Sequence, residues 1–151
     1  MHVIGVIGGR AVNRKFYEIA YRAGAEIAKR GGVVVCGGLS GVMEAAAKGA
    51  RDNGGRTIGI LPGRNKSEAN KYIDTAIPTG IGEARNSVIV NTADGVIAVD
   101  GKEGTLSEIA FTLNSGKPIV GIGTYDIKGI IKEDDPARAV ERIFKILEGG
   151  R

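Results

Sequence analysis

Short apolar, β-branched runs that end abruptly in glycine constrain this chain more than any other feature. Residues 3–7 run into Gly8-Gly9, and residues 33–36 into Gly37-Gly38-Leu39-Ser40-Gly41. Residues 96–99 run into Asp100-Gly101-Lys102-Glu103-Gly104. A strand that turns at once into a helix needs residues without a Cβ, and glycine supplies them. The 25 glycines follow no fixed period, so they mark turns rather than a collagen-like repeat. Helical patterns fill the intervals. Residues 16–30 place Phe16, Ile19, Ala20, Ala23 and Ile27 on one stripe, and Gly31-Gly32 ends it. Met43, Ala46, Ala47 and Ala50 give a second helix its inward face. Residues 57–61 predict a third strand, Pro62-Gly63 the centre of a type II turn, 64–71 a polar loop and 73–77 another strand. Residues 83–92 predict a helix. Leu106, Ile109, Ala110 and Leu113 make the face of the next, which Gly116-Lys117-Pro118 ends. Residues 119–122 form the last core strand. Pro136 opens a C-terminal helix carrying Val140, Ile143, Phe144 and Leu147.

Strands alternating with helices predict α/β architecture over residues 1–151. The expected form is a single domain with a three-layer, doubly wound, mostly parallel sheet of the Rossmann-like kind. Such sheets hold ligands outside the carboxyl ends of their strands, where strand order reverses. The three glycine turns all follow strands, so they are expected at one edge of the sheet.

The composition narrows the function classes. No run approaches the ~18 apolar residues of a membrane span, and the start, Met1-His2-Val3-Ile4-Gly5, lacks the basic leader of a secretory signal. A cytoplasmic protein without a membrane partner is expected. A single cysteine excludes an internal disulfide and a cysteine-based metal cluster, and His2 has no companion, so no metal site is expected. The net charge of +4 suits anionic ligands but falls short of a nucleic-acid binder. Abundant Lys, Arg and Glu without any Gln is the drift of hyperthermophile proteins.

Each turn has a structural and a functional interpretation. Gly37, Gly38 and Gly41 predict a phosphate cradle at a helix N-terminus, or a tight turn capped by Ser40. Gly8 and Gly9, with Arg10 beside them, and Gly101, Lys102, Gly104 and Thr105 are expected to join that cradle. Arg14 and Lys15 suit a solvated helix start. Thr105 and Glu108 fit a capping box; alternatively Glu108 faces a bound sugar or phosphate ester. Arg85 sits in the first turn of a predicted helix, where a cation is unfavourable, so it needs a carboxylate or phosphate partner. Glu108 is one such carboxylate. Asn86 completes the local hydrogen bonding.

The segments Cys36-Gly37-Gly38-Leu39-Ser40-Gly41-Val42-Met43-Glu44, Ile77-Pro78-Thr79-Gly80-Ile81-Gly82-Glu83-Ala84-Arg85-Asn86 and Gly104-Thr105-Leu106-Ser107-Glu108 carry a resemblance. With Gly59-Ile60-Leu61-Pro62-Gly63, they resemble the short DprA/LOG-related group that includes the molybdenum cofactor carrier proteins. The resemblance implies a carrier of a phosphate-bearing small molecule, a nucleotide or a molybdopterin-type ligand, with no other cofactor required. It also implies a homodimer or homotetramer; the Ala-rich second helix and the helix after Gly82 are candidate faces for a copy. In the longer LOG phosphoribohydrolases the catalytic pair corresponds to Arg85 and Glu108. The alternative is therefore cleavage of the N-glycosidic bond of a nucleoside 5′-monophosphate. DprA-like single-stranded DNA binding ranks last, because the chain is poor in aromatic residues. The glycine-rich motif departs from the family at Asp100, Lys102 and Glu103.

Overall fold

A computed structural model describes residues 1–149. The strands are β1 (Val3–Gly8), β2 (Val33–Cys36), β3 (Arg56–Leu61), β4 (Thr75–Pro78), β5 (Gly95–Val99), β6 (Ile119–Ile122) and β7 (Ile131–Lys132). The helices are α1 (Arg14–Lys29), α2 (Val42–Asp52), α3 (Asn86–Thr92), α4 (Glu103–Ser115) and α5 (Pro136–Leu147). All seven strands are parallel and lie in the order β4-β3-β2-β1-β5-β6-β7. The fold is Rossmann-like α/β, and the sheet is parallel throughout. The chain winds outward from β1 to β4, returns through α3, and winds the other way from β5. Order therefore reverses between β1 and β5.

Alternating side chains of the central strands feed two cores. Ile4, Val6, Val34, Ile97 and Val120 pack beneath α1, α2 and α5. Ile7, Val35, Val96, Ala98 and Ile119 pack beneath α3 and α4. Burial on both faces explains why β2 and β5 show no polar alternation.

Helices α1 and α2 touch backbone to backbone. A Cβ built on Gly24 would lie 2.0 Å from the Ala46 carbonyl oxygen, and one on Gly49 1.9 Å from that of Tyr21. The Ala face of α2 is consequently consumed inside the molecule: Ala45, Ala46, Ala47 and Ala50 are fully buried. It does not offer the face for a second copy that the sequence suggested. The close packing also fixes where α2 begins. Its first N–H, from Val42, donates to the Gly9 carbonyl at 3.0 Å.

Several local expectations shift. Ile73 lies outside β4, and the two-residue β7 escaped sequence reading. Residues 83–92 are helical as expected, but the first turn, Gly82–Arg85, is 3-10 and runs directly into α3. Pro62-Gly63 does not form a type II turn, since Gly63 is not in the left-handed region that turn demands. Its missing side chain instead makes room for the Glu68 carboxylate, which closes a capping box with Asn65.

Gly24→Ala is expected to lower stability by about 1–3 kcal/mol through overpacking, although alanine is the better helix former. Urea unfolding checks this: the midpoint falls while the slope stays unchanged.

Candidate functional site

A cavity of about 400 Å³ opens outside the carboxyl ends of β1 and β5, at the reversal of strand order. Ile7, Gly8, Gly9, Arg10 and Ala11 form one wall, at the end of β1. Lys102, Gly104, Thr105 and Glu108 form the opposite wall, from α4. Met43 lies between them, and Glu83, Arg85 and Asn86 enter from the start of α3.

The N-termini of α2 and α4 differ in degree: among the described residues, one of the first three N–H groups of α2 has an acceptor and none of those of α4 does. On α2 the Val42 N–H is already taken by Gly9, and Ser40 donates its hydroxyl to the Arg10 carbonyl at 2.9 Å instead of capping the helix. The N-cap of α2 is Gly41, and no side chain bonds there. On α4, the Leu106 N–H is the first with an acceptor, the Lys102 carbonyl at 2.9 Å. Among the described residues nothing accepts from Glu103, Gly104 or Thr105, and Lys102 makes no side-chain cap. Three amides at the positive end of a 13-residue helix thus remain without an acceptor, and two of them, on Gly104 and Thr105, belong to residues that line the cavity. Protein packing does not require glycine at 104: a Cβ there would meet nothing within 4 Å.

Helix α4 begins at Glu103, so Thr105 is its third residue and cannot act as N-cap. The capping box expected between Thr105 and Glu108 does not form. Glu108 instead follows Gly104 by four residues. Helical side chains lean toward the N-terminus, so Glu108 lies over the turn that Gly104 leaves bare. It is 6% exposed, and although its backbone carbonyl accepts from the Thr112 hydroxyl at 2.7 Å, its carboxyl group has no hydrogen bond or ion pair among the described residues. Burial pushes its carboxyl up to about 8; Arg85 pulls the other way, and Glu83 adds a small rise.

Arg85 is equally buried, at 3% exposure. The expected pair with Glu108 is replaced by one with Glu83, whose Oε2 lies 3.3 Å from Nη1. Nη1 also donates to the Asn86 side-chain oxygen, and Nη2 makes a long contact of 3.5 Å with the Gly37 carbonyl. Nε has no partner. Desolvation lowers the guanidinium pKa from its usual value, while Glu83 and Glu108 oppose the shift. Asn86 does more than finish local bonding. Its amide donates to Ser107 Oγ at 3.1 Å and the Gly104 carbonyl at 3.4 Å, tying Arg85 to the first turn of α4.

The structure thus gathers Gly8, Gly9, Arg10, Arg85, Asn86, Lys102, Gly104, Thr105 and Glu108 at one cavity. Gly37, Gly38, Gly41 and Gly101 do not line it. Gly37 lies behind Arg85, where a Cβ would meet Nη2 at 2.7 Å. Gly38 packs on Leu61, Gly41 abuts the Gly9 carbonyl, and Gly101 packs on Thr105. Their role is to let these segments approach. Asp100 and Glu103, expected to repel an anion, are also absent from the lining. Sequence reading gave no site role to Ile7, Ala11, Met43 or Glu83. For Glu83 the available signal was its position two residues before an arginine in need of a partner. Cys36 is fully buried, and desolvation pushes its thiol up to about 12, so it is no thiolate nucleophile.

A family model described as the SLOG cluster4 family matches residues 1–146. The chain belongs to the SLOG cluster4 family. This SLOG cluster4 chain is 48% identical over 138 residues to an uncharacterized protein of Archaeoglobus fulgidus, spanning 91% of each. It is 33% identical over 120 residues to cytokinin riboside 5′-monophosphate phosphoribohydrolase of Mycobacterium tuberculosis, covering 78% of this chain and 62% of that protein. The molybdenum cofactor binding protein from Rippkaea orientalis superposes with a TM-score of 0.92 at 35% identity, covering 97% of both chains. The molybdenum cofactor carrier protein from Chlamydomonas reinhardtii superposes at 0.90 with 32% identity, covering 97% of this chain and 98% of that one. No helix among the described residues of the SLOG cluster4 chain is long and apolar enough to cross a membrane.

Two outcomes are expected. Asp100 is the one non-glycine residue with positive φ among those described, at 53°. Asp100→Gly should therefore raise stability by about 1 kcal/mol, read from the thermal midpoint. Glu108 sets a pH dependence. The folded protein keeps its proton up to about pH 8, whereas the unfolded chain loses it near the ordinary value of 4.5. Folded protein therefore binds more protons across that window, and the contribution to stability falls as pH rises through it. Glu108→Gln should flatten that part of the profile and stabilise the protein at pH 9 by on the order of 1–3 kcal/mol, measured by denaturation across pH.

Proposed function

We propose that the cavity binds a phosphate-bearing small molecule, a nucleotide or a molybdopterin-type ligand, in the manner of a carrier. The observation that carries this reading is the open N-terminus of α4 at the cavity, with Lys102 beside it and bare Gly104 within its first turn. A phosphate accepts several N–H groups at once and is favoured at the positive end of a helix. Arg85 supplies a buried guanidinium whose Nε still lacks an acceptor. A volume of about 400 Å³ suits a small ligand. The structural likeness to two molybdenum cofactor proteins over nearly their whole length supports the same class of ligand.

A second reading is hydrolysis of a nucleoside 5′-monophosphate, favoured by the placement of Glu108 and Arg85 in one cavity and by the phosphoribohydrolase relative. Breaking an N-glycosidic bond builds positive charge on the ribose, which an ionised carboxylate stabilises. With its pKa raised to about 8 by burial, Glu108 is mostly protonated at neutral pH and is able to donate a hydrogen bond to a ligand instead. That electrostatic state favours holding a ligand over cleaving it. Any hydrolysis would accelerate as pH rises through about 8.

Gly104→Ala separates fold from function. The new methyl meets no protein atom, so stability should rise by up to about 1 kcal/mol. AMP binding, followed by titration calorimetry, should weaken roughly tenfold or more. Incubation of the parent protein with AMP should release no free base. Release that disappears in Glu108→Ala would establish the hydrolase instead.

A further inference from the structure

The carboxylate of Glu83 spans two arginines at the cavity. Oε1 lies 2.8 Å from Arg10 Nη2 and Oε2 3.3 Å from Arg85 Nη1. Arg10 comes from the loop after β1, and Arg85 from the same turn before α3 as Glu83, so this one carboxylate joins its own turn to a residue 73 positions away. Holding two guanidinium groups with the two oxygens of one acid is also how proteins hold the acid groups of ligands.

The link is poorly anchored. The side chains of Arg10 and Glu83 are 59% and 61% exposed, so the pair is screened and individually weak. Glu83 follows Gly82, which has a φ of 64° and no neighbour where a Cβ would stand. The backbone before Glu83 is thus not wedged by side chains and is held by one hydrogen bond, from the Gly82 N–H to the Pro62 carbonyl at 2.9 Å. Arg85, by contrast, is buried and keeps an unpartnered Nε.

We infer that Glu83 is an internal counter-anion at the Arg10–Arg85 pair, displaced by a dianionic phosphate monoester and only poorly by a monoanion. The inference rests on reading the cavity as a phosphate site, and it narrows the ligand class. A phosphodiester or carboxylate brings one negative charge, no more than the glutamate it must displace. A monoester carries close to two above its second pKa near ~6 and offers more acceptor oxygens. The competing glutamate therefore raises the charge a ligand needs, and so sets specificity rather than affinity alone.

Calorimetric titration of AMP, its 5′-methyl phosphodiester and adenosine into the parent protein and Glu83→Gln tests this at pH 7.5 and low salt. The parent should favour AMP over the diester. Glu83→Gln should bind AMP about threefold more tightly and the diester about tenfold more tightly, with adenosine unchanged. The gains should shrink in 0.5 M NaCl. Equal affinities in the two proteins, or a loss shared by all three compounds, would overturn the inference and leave Glu83 as a support for Arg85. If neither protein binds AMP or inorganic phosphate, the phosphate-site reading falls and takes this inference with it. Thermal midpoints of the two proteins confirm that both are folded.

Discussion

Main-chain contact between α1 and α2 is the constraint from which the cavity follows. Helices normally stand apart by the thickness of their side chains. Here Gly24 and Gly49 remove that spacer, and α2 sinks onto α1. Its N-terminus is thereby pressed against the loop after β1, where Gly41 meets the Gly9 carbonyl. The amides of α2 are partly used in holding that loop. One of the first three N–H groups of α2 is used in this way, whereas none of the first three of α4 has a protein acceptor among the described residues. Packing thus occupies part of one helix end, although both follow glycine-rich turns.

Burial of Arg85 and Glu108 without mutual pairing works against stability. Removing charge from water costs several kcal/mol unless partners replace the solvent. Arg85 is only partly compensated, by Asn86, Glu83 and a distant carbonyl. Glu108 is accommodated chiefly by keeping its proton. Groups held in this manner are common at sites where a ligand completes the hydrogen bonding. Asn86 links the two sides, since one amide side chain contacts both the guanidinium and the start of α4.

The strands were legible in the sequence because doubly buried strands read as unbroken β-branched runs, and their ends because glycine follows. The edge of the sheet that carries the site followed from those two facts. The fold class and the family resemblance both stand. What the sequence concealed depends on contacts between distant residues. The residue pattern from Glu83 to Thr92 announces a helix, and the backbone is helical throughout, but the pattern does not show that the first turn is 3-10. Thr105 and Glu108 have the spacing of a capping box, but the helix starts two residues earlier, and spacing alone cannot reveal that. The small residues of α2 announced a close neighbour without naming it; Gly24, in the middle of α1, was the clue that the neighbour lay within the same chain. Glu83 shows no local sign of Arg10, its partner across 73 residues.

Because Glu108 retains its hydrogen up to about pH 8, H⁺ behaves as a second ligand of this cavity. An incoming anion raises the proton affinity of a neighbouring carboxyl still further. Near and above pH 8, complex formation would therefore draw H⁺ from the medium. The measured heat of association would then vary with the ionisation enthalpy of the buffer, and the count of ions taken up would report directly on this one side chain.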